Sequence, residues 1–436
     1  MSVETILLLP YMSVRAFSLF EDSTEDPLAY SADDGGKIED VEPHTKNQFL
    51  NHVGNLSKIG SRNLDNGNGS CFHKDSFIVL SGFYTIGWSD GDVIDCIDIY
   101  KQPAFDHPLL KNHIIQMSPS SYPKAASPET ENSRDVKVAS FQLWNNFEKC
   151  PNGTIPILRT QRNGGKISPN AYPFTVNDNS DNYGDQTAEY AGAITKNFAF
   201  YGASSESYIW NPQVQVSTEY SGAGTWLLSN RGAVVNGIAA GWIVNPVLYG
   251  DTKTRIFISW IIVDSKTPGC YDLSCPGFVQ TSSDIPLGTV LTPVSEYDGN
   301  QYAINYSIHK DNNTGNWWFT LLTALKNEIH VGYWPASIFT SLSVANRVLW
   351  GGQVSNLKTG GEHTSTQMGS GHFPKEGDKK AAYFGSVRVL FSDGTYGTPL
   401  VDPFRDHAAC YDSDMVGSYH PDSFYFGGPG RNPTCI

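Results

Sequence analysis

GWIVNPVLYGDTKTRIFISW, the stretch from Gly241 to Trp260, holds two short apolar runs with a turn between them. Trp242-Ile243-Val244 and Ile256-Phe257-Ile258 are built from aromatic and β-branched residues, the types that fit a pleated surface. Asn245-Pro246 and Tyr249-Gly250-Asp251 interrupt the chain between the runs. The same rhythm continues on both sides. Thr195 to Tyr201, Thr225-Trp226-Leu227-Leu228, Trp317-Trp318-Phe319-Thr320 and Ser386-Val387-Arg388-Val389-Leu390 read as strands. Turns such as Asp298-Gly299-Asn300 and Ser392-Asp393-Gly394 part them, and no helical period intervenes. Many short strands at this spacing predict an all-β domain, an antiparallel β-sandwich, over residues 188–436.

A chain of 436 residues is longer than one hydrophobic core usually organises, so more than one folded unit is expected. Aromatic residues reach 12% against 17% charged, with 41 glycines, a mixture suited to strands and tight turns rather than helices. The net charge is −14 and Lys and Arg form no stripe, which excludes nucleic acid as an expected partner. No apolar run approaches the ~18 residues of a membrane span.

Residues 1–85 are polar and irregular, with the acidic run Glu21-Asp22-Ser23-Thr24-Glu25-Asp26, and are expected to be disordered. Residues 86–162 read as a small β-containing unit, because Val93-Ile94-Asp95-Cys96-Ile97-Asp98-Ile99 alternates as a half-buried strand does. Residues 163–187, rich in Gly, Asn, Asp and Ser, cannot bury a core and read as an exposed linker where proteases cut.

Seven cysteines allow three disulfides and one leftover thiol. Cys270 and Cys275 bracket a four-residue loop, Cys410 and Cys435 tie the C-terminal segment, and Cys96 with Cys150 can staple the smaller unit. Cys71 has no assigned partner. Zinc wants two close cysteine pairs and only one exists, so disulfides and an oxidising compartment are the expectation. Asn152, Asn305 and Asn312 open N-glycosylation sequons in keeping with that compartment. The N-terminal segment, with Ile6-Leu7-Leu8-Leu9 cut off by Pro10, makes a poor secretory signal.

The common catalytic patterns are absent: no HExxH, no P-loop, no dinucleotide glycine fingerprint, no CxxC. Met368-Gly369-Ser370-Gly371-His372 sets a serine near a histidine, but a close-packed glycine turn explains it better than a catalytic dyad. His363 and His372 lack a third ligand nearby in sequence, so neither a metal nor a cofactor is expected.

A series of phrases carries more. In order they are Asn236 to Trp242 (NGIAAGW), Leu248-Tyr249-Gly250-Asp251, Gly269 to Phe278 (GCYDLSCPGF), Gly315-Asn316-Trp317-Trp318, Gly332 to Ala336 (GYWPA), Trp350 to Val354 (WGGQV), His363 to Pro374, and Phe426 to Pro433. Together they closely resemble the plant neprosin family, whose C-terminal domain is a β-sandwich glutamic peptidase that cleaves at proline. The upstream phrases Asp90 to Cys96, Gln102 to Leu110 and Cys150 to Pro156 resemble that family's activation-peptide domain, which is removed on maturation.

The resemblance implies two catalytic glutamates, in the Ile-Glu-x-Gly-Trp and Trp-Gly-Gly-Glu-Val phrases. Here those positions hold Ala239 and Gln353. Alanine cannot ionise, and glutamine keeps the size of glutamate but exchanges no proton at its amide. A general acid and base typically supply 10²–10⁴-fold in rate, so the resemblance implies a catalytically inactive homologue that binds proline-rich or cell-wall peptides. The alternatives are an active proline-directed endopeptidase using other acids, with Glu219, Glu328 and Glu362 nearest, or a carbohydrate- or wall-associated binding module. Trp242, Tyr333, Trp334 and Trp350 are candidates to line a substrate cleft, although core packing is the plainer reading of such residues. A monomer, placed outside the cell or in the vacuole, is expected.

Overall fold

The computed structural model describes residues 76–80, 83–87, 91–124, 149–159, 166–167, 188–231, 234–263, 269–323, 327–416 and 422–436. They belong to one compact unit, His73–Ile436. Cys71, the expected linker except Lys166–Ile167, and most of the expected disordered segment lie outside the described residues.

Four strands form the smallest sheet: β1 (Ser76–Leu80), β2 (Phe83–Gly87), β3 (Val93–Asp98) and β4 (Thr154–Leu158), paired in that order. The expected alternation is present in β3, where Ile94 and Cys96 are buried while Val93, Asp95 and Ile97 are half-buried. Ile94 and Cys96 meet Ile86 and Cys150 in a small core of their own. The strand β1 falls within residues 1–85, where irregular chain was expected. Its sequence, Ser-Phe-Ile-Val-Leu, is an apolar run that pairs with β2 from Leu80↔Phe83 outward.

Next come β5 (Lys166–Ile167), β6 (Ala188–Thr195), β7 (Gly202–Tyr208), β8 (Ser221–Arg231), β9 (Val234–Val244), β10 (Arg255–Val263) and β11 (Gly269–Tyr271). They are followed by β12 (Val279–Gln280), β13 (Ala303–Lys310), β14 (Trp317–Leu322), β15 (Glu328–Trp334) and β16 (Arg347–Ser355). The chain ends through β17 (Ala382–Leu390), β18 (Tyr396–Gly397), β19 (Val401–Arg405), β20 (Asp412–Met415) and β21 (Phe424–Gly427). One eight-stranded sheet has the order β19-β6-β16-β8-β9-β10-β11-β5. A nine-stranded sheet has the order β12-β15-β14-β13-β7-β17-β21-β20, with β18 added beside β17.

All pairings within these sheets are antiparallel, and one continuous core with residues from both sheets makes the pair a sandwich. Thr195 to Tyr201 is not the strand expected there. The strand is the segment before it, β6, whose small residues Ala191, Gly192 and Ala193 let neighbouring strands close in; Thr195 is its last residue.

The turn inside the opening stretch is a helical one, α1 (Pro246–Tyr249). The Asn245 side chain accepts from Leu248 N at its start, and Gly250 ends it at φ +84, donating its N–H to the Pro246 carbonyl. Only a residue without Cβ takes that left-handed backbone at little cost. The three expected disulfides are present, Cys96–Cys150, Cys270–Cys275 and Cys410–Cys435, with Cα separations of 5.5, 6.1 and 5.2 Å. Asn152 and Asn312 are exposed, whereas Asn305 is half-buried in β13 with its amide oxygen shut off from solvent.

Candidate functional site

Successive side chains of a strand point to opposite faces, so the eight-stranded sheet presents two different surfaces. Ile238, Ala240 and Trp242 of β9, with Val348, Trp350 and Val354 of β16, face the core between the sheets. Ala239 and Ile243 of β9, with Leu349 of β16, belong to a second cluster on the outer face, together with Tyr190, Trp226, Phe257 and Tyr271. Gln353 is four residues from Leu349 and shares this face. Ala239 and Gln353 therefore stand on one surface, and both are buried.

Register places them in separate rows across the strands. Gln353 lies between Tyr190 and Gly222, while Ala239 lies between Trp226 and Ser259. The row between contains Gly192, Gly351, Gly224 and Gly241 on four adjacent strands, framed by Phe404 on β19 and Phe257 on β10. The neighbouring backbone leaves no room for larger residues: a Cβ on Gly192 would lie 2.0 Å from the Trp350 carbonyl oxygen, and one on Gly241 2.1 Å from that of Ala223. The result is an aisle without side chains of its own, with Gln353 on one side and Ala239 on the other. The Phe257 ring leans over it, and a Cβ on Gly224 would touch its edge at 3.4 Å.

The other carboxylates expected as alternatives, Glu219, Glu328 and Glu362, are engaged elsewhere. Glu219 is fully buried and accepts from Thr364 Oγ1 at 2.6 Å, from Leu357 N at 3.1 Å and from Thr366 Oγ1. Glu362 is exposed and paired with Arg431, and Glu328 lies on β15 of the other sheet. In the Gln353 row the nearest acid is Asp406, beyond Tyr190 at the sheet edge, where it accepts from Tyr190 N at 2.7 Å. Burial first, and the charge of Glu189 next, push its carboxyl up to about 6. Asp402, exposed and next to Ile194 in the Ala239 row, is the counterpart of Asp406. The two stand on either side of Phe404 at the β19 end of the aisle, each separated from Ala239 or Gln353 by at least one intervening strand position. His372 contacts Glu376 rather than Ser370 through its ring, so the Met368 to His372 phrase forms no nucleophile and base pair.

The four aromatic cleft candidates sit in the inter-sheet core. Trp242, Tyr333, Trp334 and Trp350 are all fully buried there, and the Trp242 indole N–H is shared by Ser207 Oγ and the Tyr208 carbonyl. Only Tyr333 reaches outward. Its hydroxyl meets His113 Nε2 at 2.7 Å and accepts from Gln116 N at 3.0 Å.

That contact belongs to a seam between residues 92–121 and the sandwich that the sequence did not reveal. Asp311 takes hydrogen bonds from Gln116 Nε2, Ser120 N, Ser120 Oγ and Ser121 Oγ at 2.6 to 3.0 Å. Gln102 and Gln280 exchange side-chain to backbone bonds at 2.8 and 3.1 Å. Arg255, buried on β10, is gripped by Asp92 and Asp251 and donates to the Gly288 carbonyl. Beside it, Tyr249 donates to Asp272 at 2.6 Å.

A protein-family model described as Neprosin matches residues 217–429, and one described as Neprosin activation peptide matches residues 85–182. Among solved structures, scytalido-glutamic peptidase with a peptide-based transition state analog is similar at 12% identity and a TM-score of 0.30, over 56% of this chain and 98% of that one. A member of the Eqolisin family of peptidases in complex with the tripeptide Ala-Ile-His is similar at 13% identity and a TM-score of 0.29, over 55% of this chain and 97% of that one.

Proposed function

This chain belongs to the neprosin family, and on that premise we propose that it is a peptidase-like protein whose glycine aisle holds an extended, proline-rich peptide without cutting it. The observation that carries this reading is the placement of Ala239 and Gln353. They share one face and flank one aisle, as a pair acting on a strand-like substrate must, yet neither can pass a proton.

A row of glycines suits an extended ligand, because backbone can approach backbone where no Cβ intervenes. The Gln353 amide both donates and accepts, so it can grip a peptide group of the ligand from the aisle's edge. Bond cleavage requires more. One group must take a proton from the attacking water and another must give one to the leaving amine. Without a carboxyl at either position, binding outlasts hydrolysis.

The three disulfides support an oxidising compartment, outside the cell or in the vacuole, as the place of work. The seam around Asp311 and Arg255 supports residues 92–121 as a segment docked on the peptidase-like sandwich, in the manner of an activation peptide.

The test uses chain cleaved within residues 163–187 by an added protease. A fluorescently labelled proline-rich peptide is titrated with it, read by anisotropy, and recovered for mass spectrometry. Saturable binding with intact peptide is expected. Intact peptide with no saturable binding would remove the ligand half of the proposal.

A further inference from the structure

Three side chains of metal-ligating type, remote in sequence, meet at one end of the eight-stranded sheet. Glu189 on β6, His363 in the loop after β16 and His407 in the turn after β19 bring ligand atoms within 4.8 Å of one another. His363 Nε2 stands 3.1 and 3.0 Å from the two Glu189 oxygens, and His407 Nδ1 stands 3.1 Å from Glu189 Oε1. Glu189 and His363 are buried, while 56% of the His407 side chain is exposed.

The surrounding bonds hold these atoms in place. Asn356 Nδ2 donates to Glu189 Oε1 at 2.7 Å, and His363 Nδ1 lies 2.8 Å from the Thr364 carbonyl. A neutral imidazole carries one N–H. With that proton given to the Thr364 carbonyl, His363 turns a lone pair at Nε2 toward a carboxylate, which only a second proton or a bound cation reconciles. A ligating histidine that donates its other N–H to a backbone carbonyl is the usual arrangement around protein-bound metals. Atoms sharing a tetrahedral ion at about 2.0–2.2 Å lie roughly 3.3 Å apart, close to the separations found between the carboxylate and the two rings.

We propose that Glu189, His363 and His407 bind one divalent transition-metal ion, with zinc the best match, through a carboxylate oxygen and two imidazole nitrogens. Imidazole with carboxylate is a zinc ligand set, and the exposed side of His407 leaves a further position for water. A neighbouring group, His363 with Cys410 and Cys435, is not the site, because both sulfurs are joined to each other. The site also stands apart from the aisle. Glu189 pairs with Val354, whose side chain faces the inter-sheet core. An ion here cross-links β6 to the loop before Thr364 and to the turn that leads into Cys410, so its work is to fasten the C-terminal segment beside the disulfide.

The experiment takes untagged, chelator-treated full-length chain at neutral pH. Zn²⁺ is titrated by calorimetry and Co²⁺ by its visible absorption, and thermal unfolding is followed with and without Zn²⁺. One equivalent of each ion and a raised unfolding midpoint with Zn²⁺ are expected. His407→Ala, a change at an exposed side chain, should weaken Zn²⁺ binding by about tenfold or more. Glu189→Gln should lose the Co²⁺ band, while His372→Ala, at a separate pair with Glu376, should leave both ions bound as before. Failure to bind Zn²⁺, or binding that is the same in His407→Ala and Glu189→Gln as in the unchanged chain, overturns the proposal.

Discussion

Asp92 and Arg255 are joined by two parallel hydrogen bonds of 2.8 Å each, across 163 positions of sequence. Arg255 is buried on β10, and Asp92 belongs to the activation-peptide match. A planar guanidinium meeting a carboxylate in this two-pronged way gives one of the stronger polar contacts that proteins form. Removing one partner leaves a buried charge short of compensation. Asp92→Ala should lower the free energy of unfolding by about 3 kcal/mol, read from urea denaturation. Replacing both residues, Asp92→Ala with Arg255→Met, should cost less than the single change, because no stranded charge remains.

Asp311 gathers the segment from Gln116 to Ser121 onto the sandwich. Burial pushes its carboxyl up, but the Ser120 amide, Gln116 and Ser120 side chains outweigh it and hold the group below the ordinary aspartate range. A depressed folded value means that this stabilisation is complete above the unfolded value of about 4 and is lost as pH falls through the folded one. Limited proteolysis should therefore cut near residues 113–121 faster as the medium is made strongly acidic. Asp311→Ala should show the same exposure at neutral pH.

Asp272 has the opposite sign. Burial raises its carboxyl to about 7, against the Tyr249 hydroxyl, the Ile258 amide and the charge of Arg255. The folded chain keeps a proton that the unfolded chain releases above about pH 4. Stability from this group is thus full below that value and declines as pH rises toward 7. Thermal unfolding measured at steps from about pH 4 to 8 should show a slope that Asp272→Asn flattens.

The glycine aisle tolerates no added carbon. Gly241→Ala brings a Cβ against the Ala223 carbonyl oxygen, with backbone rather than a movable side chain in the way. A destabilisation of about 1–3 kcal/mol is expected, measured by equilibrium unfolding. The same change at Gly250, where nothing lies within 4 Å of the new atom but the backbone is left-handed, should act through strain alone.

Much of this fold is legible in local pattern. Alternation located β3, turn residues separated β9 from β10, and cysteine spacing paired Cys270 with Cys275 and Cys410 with Cys435. The aromatic candidates show what local pattern also offered. Trp242 is three residues from Ala239, and Trp350 three from Gln353. An odd separation on a strand puts two side chains on opposite faces, so these tryptophans point into the core while Ala239 and Gln353 point away from it. Asp92, Asp311 and the group of Glu189, His363 and His407 had no such signal. Their partners lie 163, 190 and 174 positions away, and only the closing of the sandwich brings them together.

The pair of positions flanking the aisle is where the proposed loss of chemistry can be measured. Protease-processed chain is incubated with a proline-containing peptide at about pH 3 to 6, where a carboxyl pair can share one proton, and fragments are counted by mass spectrometry. The unchanged sequence should release none above background, and Ala239→Glu combined with Gln353→Glu should raise cleavage by about a hundredfold or more. Cleavage by the unchanged chain that persists in Gln353→Ala would contradict the placement of the lost chemistry at Ala239 and Gln353.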